Sequence, residues 1–162
     1  MNIYKEIWNT YPGTNSLLRR YAHLIMGVGL SLYMLSSYVR VSELPIIVIS
    51  GGVGSIFPDL DVRYKHRKAL HNIFSLIISS IVVLILAEMI NASMFITAGY
   101  SIGYVSHLAG DMLTRRGIAI LYPLRTRFYR IPTPLGKSED FLVNFVGAAI
   151  GLLLIFLSLR RI

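Results

Sequence analysis

Residues 44–58 read L-P-I-I-V-I-S-G-G-V-G-S-I-F-P, fifteen positions without a charged side chain, broken by Gly51, Gly52 and Gly54 and stopped by Pro58. Whether this stretch crosses a membrane decides the fold. A helix needs about 20 apolar residues to cross ~30 Å of hydrocarbon, so taken alone the segment suits a re-entrant turn as well as a thin, tilted span. Outward from it, charge-free stretches run 21–39, 69–87, 89–110 and 141–159, each of 19 to 22 residues. These four are long enough outright. They read as helices, because lipid tolerates no unpaired backbone groups and nothing here alternates as barrel strands do.

The cations settle the status of the short stretch. Lys5, Arg19 and Arg20 precede the first stretch and Arg40 follows it. Arg63, Lys65, Arg67 and Lys68 follow the second, and no cation follows the third. Arg115, Arg116, Arg125, Arg127, Arg130 and Lys137 follow the fourth, while Arg160 and Arg161 end the chain. Five spans with the amino terminus inside put thirteen of the sixteen Lys and Arg in the cytoplasm and three outside, the asymmetry that membrane insertion favours. Four spans would set the first two cationic segments on opposite faces. The expected fold is therefore all-α: a polytopic membrane bundle of about five transmembrane helices, amino terminus cytoplasmic.

Composition agrees. Of 162 residues, 54% are apolar and only 15% charged, and the mean hydropathy is +0.61. A soluble domain carries about 25% charge, so an ordinary soluble enzyme, a disordered tail and a coiled coil are excluded. Cysteine is absent, which removes disulfides and thiolate zinc sites. The net charge of +8 reads as cytoplasmic loop charge facing anionic lipid. Residues 1–20, with Tyr4, Trp8 and Tyr11 among charges, form an expected interfacial segment without the marks of a cleavable signal. Residues 21–162 form the five-span domain, with polar loops at 58–70 and 112–140. The glycines of the second stretch point to close helix packing.

Where the ionisable residues fall is the informative fact. His23 opens the first span, Asp59 and Asp61 end the second, His66 and His71 bracket the start of the third, His107 and Asp111 close the fourth, and Glu139 and Asp140 open the fifth. With the topology above, all four histidines and five of the eight acids lie at helix ends on one membrane face. Ionisable side chains at membrane depth are costly and mark function by default. His107 and Asp111, at i and i+4, project from one helix face about 6 Å apart along the axis, close enough to reach one ion. Imidazole with carboxylate suits a divalent cation, Zn²⁺ first and Mn²⁺ second, in a site suited to activating water. Blander roles compete at single positions: Asp59 and Asp61 as turn caps or partners of Arg63, His66 as a solvated loop residue, Asp111 as a partner of Arg115, and Glu139 as a helix-end charge with Ser138 as cap. None explains the gathering on one side.

The motifs S-I-F-P-D-L-D (55–61), H-R-K-A-L-H (66–71) and G-Y-V-S-H-L-A-G-D-M-L-T-R-R-G-I (103–118) resemble those of the YdjM-type membrane proteins, commonly labelled membrane-bound metal-dependent hydrolases (DUF457). That family's pattern has a histidine at the first span, then L-P-D-x-D, H-R-G-x-T-H-S and H-x-x-x-D-x-x-T-x-x-G. His23, Asp59, Asp61, His66, Arg67, His71, His107, Asp111, Thr114 and Gly117 match it in order, and Glu139 stands where a family glutamate opens the last span. Val62, Lys68, Leu70 and Asn72 depart from it.

Together, the residues and the resemblance imply a metal-dependent hydrolase at the cytoplasmic membrane surface. His71, His107, Asp111 and one or both of Asp59 and Asp61 would hold one or two ions, with His23, His66 and Glu139 as further ligands or general base. Asp59, His66 and Glu139 are the candidate proton-transfer groups. Arg67 and the basic loop Arg115, Arg116, Arg125, Arg127 and Arg130 would grip an anionic, lipid-like or small-molecule phosphoester, with Arg67, Arg115, Arg116 and Arg125 foremost, since arginine binds phosphate bidentately. The rival class is a non-catalytic metal- or lipid-binding structural protein, whose site would be closed and saturated. Ion transport ranks low because no charge sits at mid-span. Nucleic-acid binding ranks lower, since no reading element is present.

Overall fold

The computed structural model describes residues 12–63, 68–138 and 140–161. Five helices account for most of it: α1 Pro12–Leu35, α2 Leu44–Ile56, α3 Ile73–Met89, α4 Phe95–Met112 and α5 Phe141–Leu159. No strand pairs beyond isolated bridges occur among the described residues. His66, Arg67 and Glu139 lie outside the described residues, as do residues 1–11 and the side chain of Asp61.

The ends of the helices follow local chemistry. Pro45 enters α2 at its first turn, where its missing N–H costs nothing. Pro58 stops the α-type ladder for the same reason, and the chain tightens into a 3-10 segment, Phe57–Arg63. With its flanking turns the short stretch becomes a continuous helical run Val41–Leu60 of 20 residues. That run and Phe141–Leu159 are long and apolar enough to cross a membrane, while Ile73–Met89 is a shorter apolar helix. The third charge-free stretch therefore yields a shorter helix than its 19 residues suggest, because Asn72 caps α3 and keeps 69–72 out of it. Asn72 accepts from the Ser75 N–H at 2.8 Å and donates to the Lys68 and Ala69 carbonyls, both at 2.7 Å. At the other end of the chain α1 begins at Pro12, so residues 12–20 of the expected interfacial segment are helical.

Helices α1, α2 and α4 pack mutually, α5 lies on α1, and α3 leans on α4. The α2–α4 contact is backbone against backbone. A Cβ placed on Gly103 would stand 2.9 Å from the Gly51 carbonyl carbon and 3.0 Å from its Cα, and closer still to the oxygen. Small residues permit this approach, and from α1 the Ser31 hydroxyl donates to the Gly99 carbonyl of α4 at 3.1 Å. Between α3 and α2 a cavity of about 800 Å³ remains, walled by Ile49 and Val53 on one side and Ile78 and Val82 on the other, with Tyr100 also lining it. Over one end of the bundle lie residues 68–72 and 112–138, tied together by the Ile73 N–H to Ile120 carbonyl bond of 3.0 Å. Ile118 is fully buried against Tyr100, Tyr104 and Leu108 of α4, which fixes the second loop to the bundle.

Candidate metal centre

His107 organises the site. It is fully buried on α4, one turn beyond Gly103, and its Nδ1 lies 2.6 Å from the Ser55 carbonyl of α2. A carbonyl only accepts, so Nδ1 carries the proton and Nε2 presents its lone pair inward. Around that Nε2 stand His71 Nε2 at 3.3 Å, Asp111 Oδ2 at 3.8 Å and Asp59 Oδ1 at 3.9 Å. His71 Nε2 is also 3.4 Å from Asp111 Oδ2. The second Asp111 oxygen lies 3.7 Å from His23 Nε2, and the His23 ring stacks on His107 at 4.1 Å between centroids.

Each side chain is delivered by a different piece of the fold. His23 comes from the middle of α1, Asp59 from the 3-10 turn after α2, His71 from the residue before the α3 cap, and His107 with Asp111 from the last turns of α4. Asn72 holds the chain at His71 through its cap, so a departure from the family pattern has a structural function here. Tyr104 supports the same turn by donating from its hydroxyl to the Leu70 carbonyl. Thr114 Oγ1 donates to the Asp111 carbonyl at 2.8 Å and closes the end of α4. Gly110 makes room for His23: a Cβ there would meet His23 Cε1 at 3.0 Å.

The donor set fits a divalent cation. In a tetrahedral site with ligand bonds of about 2.1 Å, donor atoms stand ~3.4 Å apart, and the His71–His107–Asp111 triangle has edges of 3.3, 3.4 and 3.8 Å. Two buried carboxylates surround the inward lone pair of His107, and such a group of acceptors favours a positive centre. Asp59 Oδ2 is buried without a hydrogen-bond partner among the described residues. Two overlapping donor groups, His23–His107–Asp111 and Asp59–His71–His107, can each hold an ion.

Five of the sequence-chosen ligands therefore converge: His23, Asp59, His71, His107 and Asp111. His71 and Asp111 are 1% and 2% exposed, whereas His23 retains 12% and lines a crevice of about 70 Å³ with Gly110, Thr114 and Asn144. Arg115, Arg116 and Arg125 are exposed on the 112–138 loop. Arg116 lines a loop cavity with Arg127 and Arg130, and Arg115 and Arg125 are not among the lining residues. At the start of α5 the cap residue is Asp140 rather than Ser138. Its Oδ2 accepts from the Lys137 N–H at 2.6 Å.

The model of the YdjM inner membrane protein family matches residues 19–161. Inner membrane protein YdjM of Escherichia coli K12 is 38% identical over 52 residues, which is 32% of this chain and 26% of the relative. The Shigella flexneri protein of the same name matches equally. The alignment thus spans about a quarter of the length of these curated relatives. No solved structure matches the chain significantly. This chain belongs to the YdjM family of inner membrane proteins.

Proposed function

For this YdjM-family membrane protein we propose metal-dependent hydrolysis of an anionic, lipid-like phosphoester at the cytoplasmic face. The five helices would span the membrane with the amino terminus inside. The observation that carries the reading is the imidazole–carboxylate triangle of 3.3 to 3.8 Å, with His107 locked in one tautomer by Ser55. A bound divalent cation, Zn²⁺ or Mn²⁺, supplies Lewis acidity toward water and toward the ester oxygen.

The chain's own residues do the rest. His71, His107 and Asp111 bind, Asp59 completes the set, and the Ser55 carbonyl and Thr114 hold the ligands in place. His23 stands where the crevice meets the cluster, in position to hold or move a proton. The crevice has room for more than one water. The apolar cavity between α2 and α3 includes Phe57 and Leu70 in its lining, two residues from Asp59 and one from His71, and so suits the hydrocarbon part of a lipid.

A second reading has its own support. Four of the five ligands are buried, as in a structural metal centre that only locks the helices together. Metal analysis of detergent-purified wild type beside His107→Ala and Asp111→Ala tests what both readings share: undiminished metal in both variants removes them together. Hydrolysis of bis(p-nitrophenyl) phosphate by the metal-loaded wild type separates them, since a structural centre leaves that ester intact.

A further inference from the structure

Residues 112–138 contain six cations and no acid. Insertion with positive charge inside asks only for the number of such charges, and an unstructured loop would satisfy it. Here the segment is folded. Gly117 takes φ +67°, a backbone conformation that side chains resist. A Cβ there would stand 2.9 Å from the Tyr129 carbonyl carbon and 3.0 Å from Arg130 Cβ. Ile118 then pairs with Tyr129 through two backbone bonds of 3.0 and 2.7 Å, and Ile118 and Ala119 are fully buried. Arg116 is thereby brought against Arg127–Arg130.

The result is a polar cavity of about 530 Å³ whose lining includes Arg116, Arg127, Phe128, Tyr129 and Arg130 and, among the described residues, no carboxylate. Two of its guanidinium groups are positioned. Arg130 Nη1 donates to the Arg115 carbonyl at 2.6 Å, and Arg127 lies 6.0 Å from the centroid of the Tyr129 ring. An arginine has five N–H donors in a planar fork that matches the oxygens of phosphate. Three such forks around one concavity, uncompensated by any acid of the segment, repel one another until an anion arrives.

We infer that this cavity is a phosphate-recognition site, separate from the imidazole–carboxylate cluster and independent of whether that cluster hydrolyses anything. Its ligand is a phosphate monoester or phosphate itself, carried either by an anionic lipid headgroup or by a soluble compound.

The full chain in phosphatidylcholine nanodiscs provides the test. Thermal unfolding is followed as inorganic phosphate replaces chloride at constant ionic strength, and again in nanodiscs where phosphatidic acid replaces part of the lipid. A ligand of the folded state raises the unfolding temperature saturably. A rise with inorganic phosphate identifies a soluble source, and a rise confined to phosphatidic acid identifies the headgroup. Arg127→Gln and Arg116→Gln should each weaken the response about 10- to 100-fold, as expected for one lost charge-assisted contact, while Arg20→Gln, on α1 and outside the cavity, leaves it intact. Arg116→Gln keeps the Arg130–Arg115 bond, so a loss there cannot be laid to an unfolded loop. Absence of any rise, or equal weakening in Arg20→Gln, overturns the site.

Discussion

Gly103→Ala places a methyl group where α2 and α4 touch, and its consequence for the metal centre can be worked out. The new Cβ would sit 2.9 Å from the Gly51 carbonyl carbon, whereas carbon atoms rest about 3.5–4.0 Å apart. The helices must therefore separate by at least ~0.5–1 Å. Ser55 lies one turn beyond Gly51 on α2, and His107 one turn beyond Gly103 on α4, so their 2.6 Å bond stretches to about 3.1–3.6 Å, the upper limit of a hydrogen bond. Overpacking of this kind costs ~1–3 kcal/mol, and losing the group that orients a ligand weakens metal affinity about 10- to 100-fold. Elemental analysis and thermal unfolding of the purified variant read both effects. The control is Gly147→Ala, whose Cβ among the described residues meets only Ala22 Cβ at 3.9 Å. Equal metal content and equal unfolding temperature in the two variants would refute the claim that backbone contact between α2 and α4 sets the site.

Other perturbations separate the parts of the centre. His71→Ala removes a corner of the ligand triangle and should abolish stoichiometric metal, whereas His23→Ala, at the open edge, should leave at least one ion; elemental analysis showing the reverse order would reassign the ligands. Asn72→Ala loses the α3 cap and both of its donated bonds, a destabilisation of about 1–2 kcal/mol, while Asn72→Asp keeps the cap and should recover part of it in the same unfolding assay. Because cysteine is absent, single cysteines report topology without background. Arg116→Cys and Lys137→Cys should label only from the cytoplasmic side in oriented vesicles and Asn91→Cys only from the other, and labelling of Arg116→Cys and Asn91→Cys from one side would contradict the five-span arrangement.

The clustered imidazoles and carboxylates were legible in the sequence for a simple electrostatic reason. An imidazole or carboxylate inside an apolar stretch is conspicuous because lipid makes it costly, and charge asymmetry then places the several stretches in one frame. His23, His71 and His107 stand out in this way, Asp59 and Asp111 directly end two apolar stretches, and the i, i+4 spacing of His107 and Asp111 already puts two of the group on one helix face. What escaped the sequence has no such signature. Ser55 orients His107 with its backbone carbonyl, a group every residue has, and only the packing of α2 on α4 singles it out. Gly51 and Gly103 hint at that packing without naming the partner. Asn72 reads as a substitution at a family position until Ser75 supplies the N–H that makes it a cap. The helix limits moved with that capping chemistry: α3 starts at Ile73 because Asn72 stops it, and the helical run through α2 continues to Leu60 because Pro58 permits a 3-10 turn where an α-helix fails. The arginines were visible as charge, but charge alone does not distinguish Arg115 and Arg125 from Arg127 and Arg130. The left-handed turn at Gly117 makes that distinction, folding Arg116 back onto Arg127 and Arg130.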